Sequence, residues 1–406
     1  MKKDWEIKKL GDLVTQINGL WKGKKEPFIN VAVIRNTNFS KDCKLKLDDV
    51  EYLDVELKQY SSRKLQAGDI IIEKSGGSDK QPVGRPILFN IEDGEYSFSN
   101  FTSTLRIKDV SQVSAEYLQQ YLYFLWLNGD TRNLQSHTTG IHNLDFKAYL
   151  NFDIILPPLE EQKRIVKILD EKFAQLETIK ANAQTNLQNA KDLFQSQLAK
   201  AFSNTTWEKK RLGDLCSKIG SGATPKGGKD SYKTEGIHLV RSMNVYDNKF
   251  VYDELACIDD KQAYELRNVE LQENDVLFNI TGASVCRCCI LPSEVLPARV
   301  NQHVSILRPK QEQLNPTFLC SAMLGYKEIL YKMACVGGST RQAITKSQLE
   351  DFEIPLPPLP EQKRIVKELD TLSEKVRQLQ EIYTKQIANC EELKQSLLQK
   401  AFEGEL

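Results

Sequence analysis

The chain has 406 residues, 40% of them hydrophobic, and its 55 basic residues balance 55 acidic ones. That length points to two or more domains, and the balance excludes a strongly basic protein that merely coats nucleic acid while leaving room for local basic patches. The most apolar run, residues 121–127, is too short to cross a bilayer and no apolar stretch follows Met1-Lys2-Lys3-Asp4, so a soluble, cytoplasmic protein without a membrane partner is expected. The nine cysteines form no regular framework and are expected as reduced thiols. Cys286, Cys288 and Cys289 cluster without the paired C-x2-C units of a zinc site, so buried thiols in a strand are expected there and no metal site.

In chain order, Trp5–Leu13 opens a first domain expected over residues 1–155. Short strands are predicted at Val31–Arg35 and Asp69–Glu73, and a helix at Glu116–Leu127. Polar, glycine-containing loops between them carry Lys22, Lys24 and Lys25, then Lys74, Ser75 and Lys80, then Arg85, and later His137 and His142. After Pro157 the pattern becomes helical: Pro158 suits a first turn, and Glu160 and Glu161 suit the positive end of a helix dipole. Ile165, Leu169, Leu176 and Ile179, continued by Ala183, Ala190 and Leu193, trace a heptad seam that Lys172, Asn186 and Gln197 interrupt. This helical segment is expected over residues 156–203.

A second domain, expected over residues 204–355, reopens with Trp207–Leu215. Strands are predicted at Ile237–Arg241 and Val276–Ile280, and a helix at Pro316–Ala334. Its loops carry Thr224, Lys226 and Lys229, then Arg241 and Asn244, Thr281, Asn301 and Gln302, and finally Ser339, Thr340, Arg341 and Gln342. A second helical segment, residues 356–406, has its seam at Ile365, Leu369, Leu372, Val376, Leu379, Tyr383, Cys390, Leu393 and Leu397, broken only at Gln386. Each helix is expected to run about 40 residues, or about 60 Å.

The chain is therefore a tandem repeat. Leu156–Lys167 returns as Leu356–Lys367, and Gln195–Phe202 as Gln395–Phe402, nearly residue for residue. The stretches between match only in outline: Gly68-Asp69 echoes Asn274-Asp275. Similar frames with different inserts imply one shared contact and two different ones. Strands first and a helix later give an α+β fold, two tandem mixed α/β domains separated by two long helices, the weaker seam packing on the stronger one.

Lys and Arg neutralise phosphates, and Arg, Asn, Gln, Ser and Thr read base edges. Any one such loop is more often a solvated turn; recurrence in both copies is what makes them a DNA-binding set. The sequence holds no phosphate-binding G-x-x-x-x-G-K-[ST] and no G-x-G-x-x-G after a strand. Asp69 with Glu73-Lys74 suggests a nuclease site, but the second copy has Asn279 and Ile280 in place of Glu73 and Lys74. A non-catalytic protein with no cofactor of its own is expected. The rivals are an enzyme with its own nuclease or methyltransferase activity and a coiled-coil scaffold that does not read DNA.

The motif Leu356-Pro-Pro-Leu-Pro-Glu-Gln-Lys-Arg-Ile-Val366, its earlier copy, Gly222-Ala-Thr-Pro225, and Asn301-Gln302-His303 resemble the specificity subunits of type I restriction–modification systems. The first domain is less typical and lacks the Thr-Pro turn. The resemblance implies that each domain reads one half of a split double-stranded DNA site in the major groove. It implies that the helices pack antiparallel as a ruler for the unread spacer and dock two methyltransferase subunits, with restriction/translocase subunits joining that core. S-adenosylmethionine, ATP and magnesium would then belong to the partner subunits. Half-sites one helical turn apart lie about 34 Å centre to centre on one face of DNA, a separation that rigid helices can hold and flexible linkers cannot.

Overall fold

The computed structural model describes residues 4–21, 23–79, 81–138, 141–203, 206–335 and 342–406. The chain divides into two compact units, one joining Met1–Ala183 to Lys385–Leu406, the other Gln184–Thr384.

The first unit is built on an antiparallel sheet in the order Val14–Asn18, Thr102–Ile107, Asp69–Glu73, Pro86–Phe89. Asp69–Glu73, with its run of three isoleucines, is buried throughout, as expected for a central strand covered on both faces. A second sheet sets Phe28–Ile34 between antiparallel Glu51–Glu56 and parallel Tyr96–Phe98. The second unit repeats both sheets: Cys216–Ser221, Val304–Pro309, Val276–Asn279, Cys288–Ile290, and Ile237–Val240 between antiparallel Ala256–Ile258 and parallel Ala298–Val300. The faint Gly68-Asp69 and Asn274-Asp275 echo now has a cause. Gly68 (φ 91°) and Asn274 (φ 68°) take the left-handed conformation that Gly and Asn tolerate. The next residue is a buried aspartate that accepts two bonds from one arginine, Asp69 from Arg106 at 2.8 and 2.7 Å and Asp275 from Arg308 at 2.7 and 2.8 Å.

The predicted strands form within a few residues of expectation. The predicted helix Pro316–Ala334 is instead two, Pro316–Gly325 and Lys327–Cys335. At the break the Phe202 ring crowds Gly325, where a Cβ would stand 2.7 Å from it, and the Tyr326 hydroxyl donates to the Phe202 carbonyl at 2.7 Å.

Two long helices, Leu159–Phe202 and Leu359–Glu403, each begin in one unit and end in the other. A buried glutamine fastens each helix start to its own domain. Gln162 donates to the carbonyls of Gln112 and Pro157 at 2.9 and 2.8 Å and accepts from the Ser114 N–H at 2.9 Å. Gln362 does the same with Gln313, Pro357 and the Asn315 N–H, each at 2.8 Å. Ser114 and Asn315 are the N-caps of the domain helices Ala115–Asn128 and Pro316–Gly325, so the glutamine ties two helix starts together. A phenylalanine fastens each helix end. Phe402 fits among Tyr117, Tyr121 and Phe124, with ring centroids 5.5, 4.7 and 5.4 Å away. Phe202 lies 5.2 Å from Phe318 and 6.3 Å from Tyr326. Within each unit the start of one helix therefore shares a core with the end of the other: Ile165 and Leu169 with Leu398 and Phe402, and Ile365 and Leu369 with Leu198 and Phe202. Inside each unit the two helices run antiparallel.

The buried seam has a different phase from the one expected. Ile179, Leu193, Leu379 and Leu393 are exposed, at 40, 45, 37 and 53%. The seam passes one residue later, through Lys180, Phe194, Gln380 and Lys394. Its expected interruptions Lys172, Asn186, Gln197 and Gln386 give way to Phe173, Leu187, Leu198 and Ile387. The cause is that each helix packs on a domain as well as on its partner, which widens and turns the apolar face beyond a two-helix seam. Ile179 and Leu379 thus lie outside the seam to which the sequence assigned them. Ile165, Leu169, Ile365, Leu369 and Val376 are buried within it, with Leu176 and Leu372 half-buried.

Two outcomes are expected in thermal unfolding. Gln362→Ala removes three neutral hydrogen bonds and leaves buried polar groups unpaired, a loss of about 2–4 kcal/mol. Leu369→Glu places an unpaired charge in the core at a cost of ~4 kcal/mol or more, whereas exposed Leu379→Glu stays within about 0.5 kcal/mol; equal effects of the two would contradict this seam.

Candidate nucleic-acid interface

Two turns recur in each domain and frame a groove. The first follows the central strand of the smaller sheet: Arg35 then Asn36–Asn38, and Arg241 then Ser242–Asn244. Asn38 and Asn244 are buried and cap these turns. The Asn244 side chain accepts from the Arg241 N–H at 3.0 Å and donates to the Val251 and Asp253 carbonyls at 2.9 and 3.2 Å. Asn244, expected at DNA, is therefore a turn-holding residue, inaccessible from outside. The second turn is Ser99-Asn100-Phe101 in one domain and Asn301-Gln302-His303 in the other; there Asn301 is buried and accepts from the His303 N–H at 3.1 Å, while Gln302 is exposed.

The two grooves differ in chemistry. The first, about 410 Å³, has apolar walls from Leu20, Trp21, Val33, Leu53 and Phe101, with Arg35, Asn36 and Asn100 at its edge. Trp21 is 68% and Phe101 46% exposed, an apolar surface facing solvent of the kind that marks a binding face. The Arg35 guanidinium is held by Glu51 at 2.5 Å. The second groove, about 760 Å³, carries more polar groups on its walls, among them Ser242, Thr281, Ser284, Arg287, His303 and Gln342, beside Met243, Tyr246 and Ala343. The Thr281 hydroxyl and His303 Nδ1 lie 2.7 Å apart, and Gln342 donates to the Tyr331 hydroxyl at 3.1 Å. Such hydroxyl, amide and guanidinium groups are the types that pair with base edges.

One exchange between the copies separates them further. Arg85, expected at DNA, is 3% exposed and bonds Glu73 through two nitrogens at 2.6 and 3.1 Å. It is an internal ion pair, and burial pushes the Glu73 carboxyl up while Arg85 pulls it down. The same backbone pairing recurs as Asn279 with Arg287, the Glu73 N–H bonding the Arg85 carbonyl at 3.0 Å and the Asn279 N–H the Arg287 carbonyl at 2.9 Å. Asparagine cannot neutralise the arginine, and Arg287 instead stacks over Tyr246 at 4.2 Å at the wall of the second groove. Sequence reasoning missed Arg287 and Tyr246, although the Glu73-to-Asn279 exchange was visible and signals a released cation.

Elsewhere, Lys24 and Lys25 are exposed, and their backbone N–H groups rest on Glu56 at 2.6 and 2.5 Å, holding that carboxyl below its ordinary range. Lys74 is half-buried with Nζ 3.4 Å from Asn18, and burial pushes its ammonium down. Ser75 donates to Asn143 at 2.6 Å, and His142 Nδ1 lies 3.1 Å from Gln135; these sit together in a small sheet of Ser75–Gly77, Ile141–Leu144 and Gln135–Thr138. Thr224 and Lys226 are exposed beside the Asn301 turn, where the Ala223 N–H bonds the Val300 carbonyl at 3.1 Å. Arg241 is engaged over the Tyr232 ring and by the Glu254 carbonyl. Lys22, Lys80, Ser339, Thr340 and Arg341 lie outside the described residues, as do the side chains of His137 and Lys229. Cys286 and Cys288 belong to one core and Cys289 to the other, so the three sulfurs do not converge; burial pushes the Cys286 thiol up to about 12.

Compared with known proteins, the chain matches the type I restriction modification DNA specificity domain twice, over residues 2–188 and 204–387. It is 27% identical to the type I restriction enzyme EcoKI specificity subunit of Escherichia coli strain K12, over 99% of this chain and 89% of that protein. Its fold is similar to a chain from a structural study of complex assembly and conformational transition of the type I R-M system, with a TM-score of 0.81 at 22% identity over 100% and 99% of the two chains. It is also similar to the HsdS subunit from Thermoanaerobacter tengcongensis, with a TM-score of 0.64 at 21% identity over 100% and 98%.

The two arginines should part company on substitution. Arg85→Met leaves Glu73 buried and unpaired and is expected to cost about 3–5 kcal/mol in denaturant unfolding. Arg287→Met is expected to stay within about 0.5–1 kcal/mol. A neutral Arg85→Met would refute the internal role.

Proposed function

The chain belongs to the type I restriction modification DNA specificity family, and from that we propose that its two domains read the two unlike halves of one split double-stranded DNA site. The observation that carries this reading is a duplicated frame with unlike grooves. The aspartate–arginine pair, the glutamine lock and the sheet order repeat, while one groove is almost wholly apolar and the other adds hydroxyl, amide, imidazole and guanidinium groups. Apolar contact suits the thymine methyl, and Gln, Thr and Arg suit purine and pyrimidine edges.

The helices, 44 and 45 residues long, serve as the ruler that fixes the unread spacer. Two methyltransferase subunits dock on them, and restriction/translocase subunits join that core. The exposed Ile179, Leu193, Leu379, Ile382 and Leu393 supply apolar surface for that docking. The chain itself reads DNA without catalysing, in the cytoplasm where the DNA lies; S-adenosylmethionine, ATP and magnesium serve the partner subunits.

Methylation mapping of a host genome, with and without this chain and with its methyltransferase subunit present, tests the reading. The expected outcome is loss of one split motif with a fixed spacer; an unbroken motif would mean that one domain alone reads. Gln342→Ala is expected to relax the second half alone, by about 1–3 kcal/mol of discrimination at one base pair.

A further inference from the structure

Within the unit Gln184–Thr384 a crevice of about 1140 Å³ separates the second domain from the long helices. We propose that it holds phosphates of the DNA flanking the half-site that this domain reads, an inference that rests on the DNA-reading function above. Five basic side chains line it, Lys191, Lys249, Arg287, Lys327 and Arg377, against one carboxylate, Asp247. Lys327 is paired with Asp247, and Arg377 with Glu374 and Glu381. Lys191, Lys249 and Arg287 have no carboxylate partner among the described residues. Unpaired cations in a concave surface focus a positive field on an anion.

In the first unit the same helix positions are arranged differently. The helix repeat is offset by 200 residues, so Lys191, Phe194, Ser373, Arg377 and Gln380 correspond to Glu391, Lys394, Phe173, Glu177 and Lys180. In the first unit these close on themselves. Lys394, 5% exposed, lies 3.6 Å from Asp42 and 3.7 Å from Glu177, over the rings of Tyr123 and Phe173, and Lys180 pairs with Glu391. In the second unit both glutamates are basic residues, the two lysines are Phe194 and Gln380, and the phenylalanine is Ser373, so the five positions change from two acidic and two basic side chains to two basic ones with no carboxylate.

The occupant follows from continuity. Tyr246, Ala283 and Arg287 line both this crevice and the base-reading groove. Tyr246 holds the Arg287 guanidinium at the junction, 4.2 Å from its ring. A strand whose bases meet Thr281, His303 and Gln342 can therefore continue past Arg287 with its phosphates against Lys249 and Lys191. An acidic protein segment would meet the same cations but would leave the shared wall unexplained.

The test uses the chain assembled with its methyltransferase subunits and a duplex carrying the mapped site. Affinity is measured against salt for the assembly with and without the exposed pair Lys191→Gln and Lys249→Gln. The expected result is a roughly ten- to thirtyfold loss near 0.15 M salt, equal for target and unrelated duplexes, with the slope of log K against log salt reduced by about 1–2 and the methylated motif unchanged. Uncharged methylphosphonates flanking the second half-site should weaken the parent assembly and leave the variant nearly unaffected. Unchanged affinity and slope would overturn the proposal, as would a relaxed motif, which would make these base contacts. Lost subunit assembly with unaltered DNA affinity would overturn it in favour of an acidic protein partner. A parent assembly that fails to prefer its target would instead sink the DNA-reading function itself.

Discussion

Each domain is fastened to a long helix by one buried amide, Gln162 in the first copy and Gln362 in the second, and the rest of the architecture depends on that junction. The amide side chain has donors and an acceptor; two of its three bonds cross from the helix start to the domain, and the third closes on the carbonyl of the proline just before the helix. One of them reaches an N-cap residue, so the domain helix and the long helix begin from a common point. A polar group this buried is strongly penalised if any partner is displaced. The junction is therefore stiff in angle as well as in position. Stiffness is what the proposed spacer-setting role requires, because a spacer length is held only as well as the joint at its end.

On that shared frame, the two grooves differ by exchanges of a few side chains. Glu73 and Arg85 neutralise each other inside the first domain; in the second the carboxylate is an asparagine and the arginine moves to a groove wall. Phe101 in one turn is replaced by His303 in the other, where it meets Thr281. Backbone hydrogen bonds at these positions recur in both copies: Glu73 with Arg85 and Asn279 with Arg287, Lys74 with Phe101 and Ile280 with His303. Changing the chemistry of the groove therefore does not require changing how the domain folds.

The repeat, the two long helices and the α+β order were legible because they rest on local signals: proline at a helix start, periodic apolar residues, and near-identical segments offset by 200 residues. The helix phase was not. Leu379 and Leu393 fit a two-helix heptad, and only the presence of a domain against the same helix moves the buried line to Gln380 and Lys394. The site was legible as loops but less so as residues. Residue type cannot distinguish Arg85, sealed against Glu73, from Arg287, which stacks on Tyr246 at a groove wall, nor Asn244, capping a turn, from the exposed Gln302. Burial and pairing decide these cases, and both are tertiary facts.

The composition of the two units has a consequence for biosynthesis. The core of the first unit includes Leu398, Ala401 and Phe402, whereas the second unit is the uninterrupted stretch Gln184–Thr384. Domains fold as the ribosome releases them, earlier residues first. Here the order of emergence and the order of completion are opposed. The first domain emerges first, yet its aromatic socket of Tyr117, Tyr121 and Phe124 stays unfilled while some two hundred further residues are translated. The nascent chain carries that open apolar socket until Phe402 arrives, which makes the interval before release the period when a chaperone or a wrongly matched helix end could occupy it.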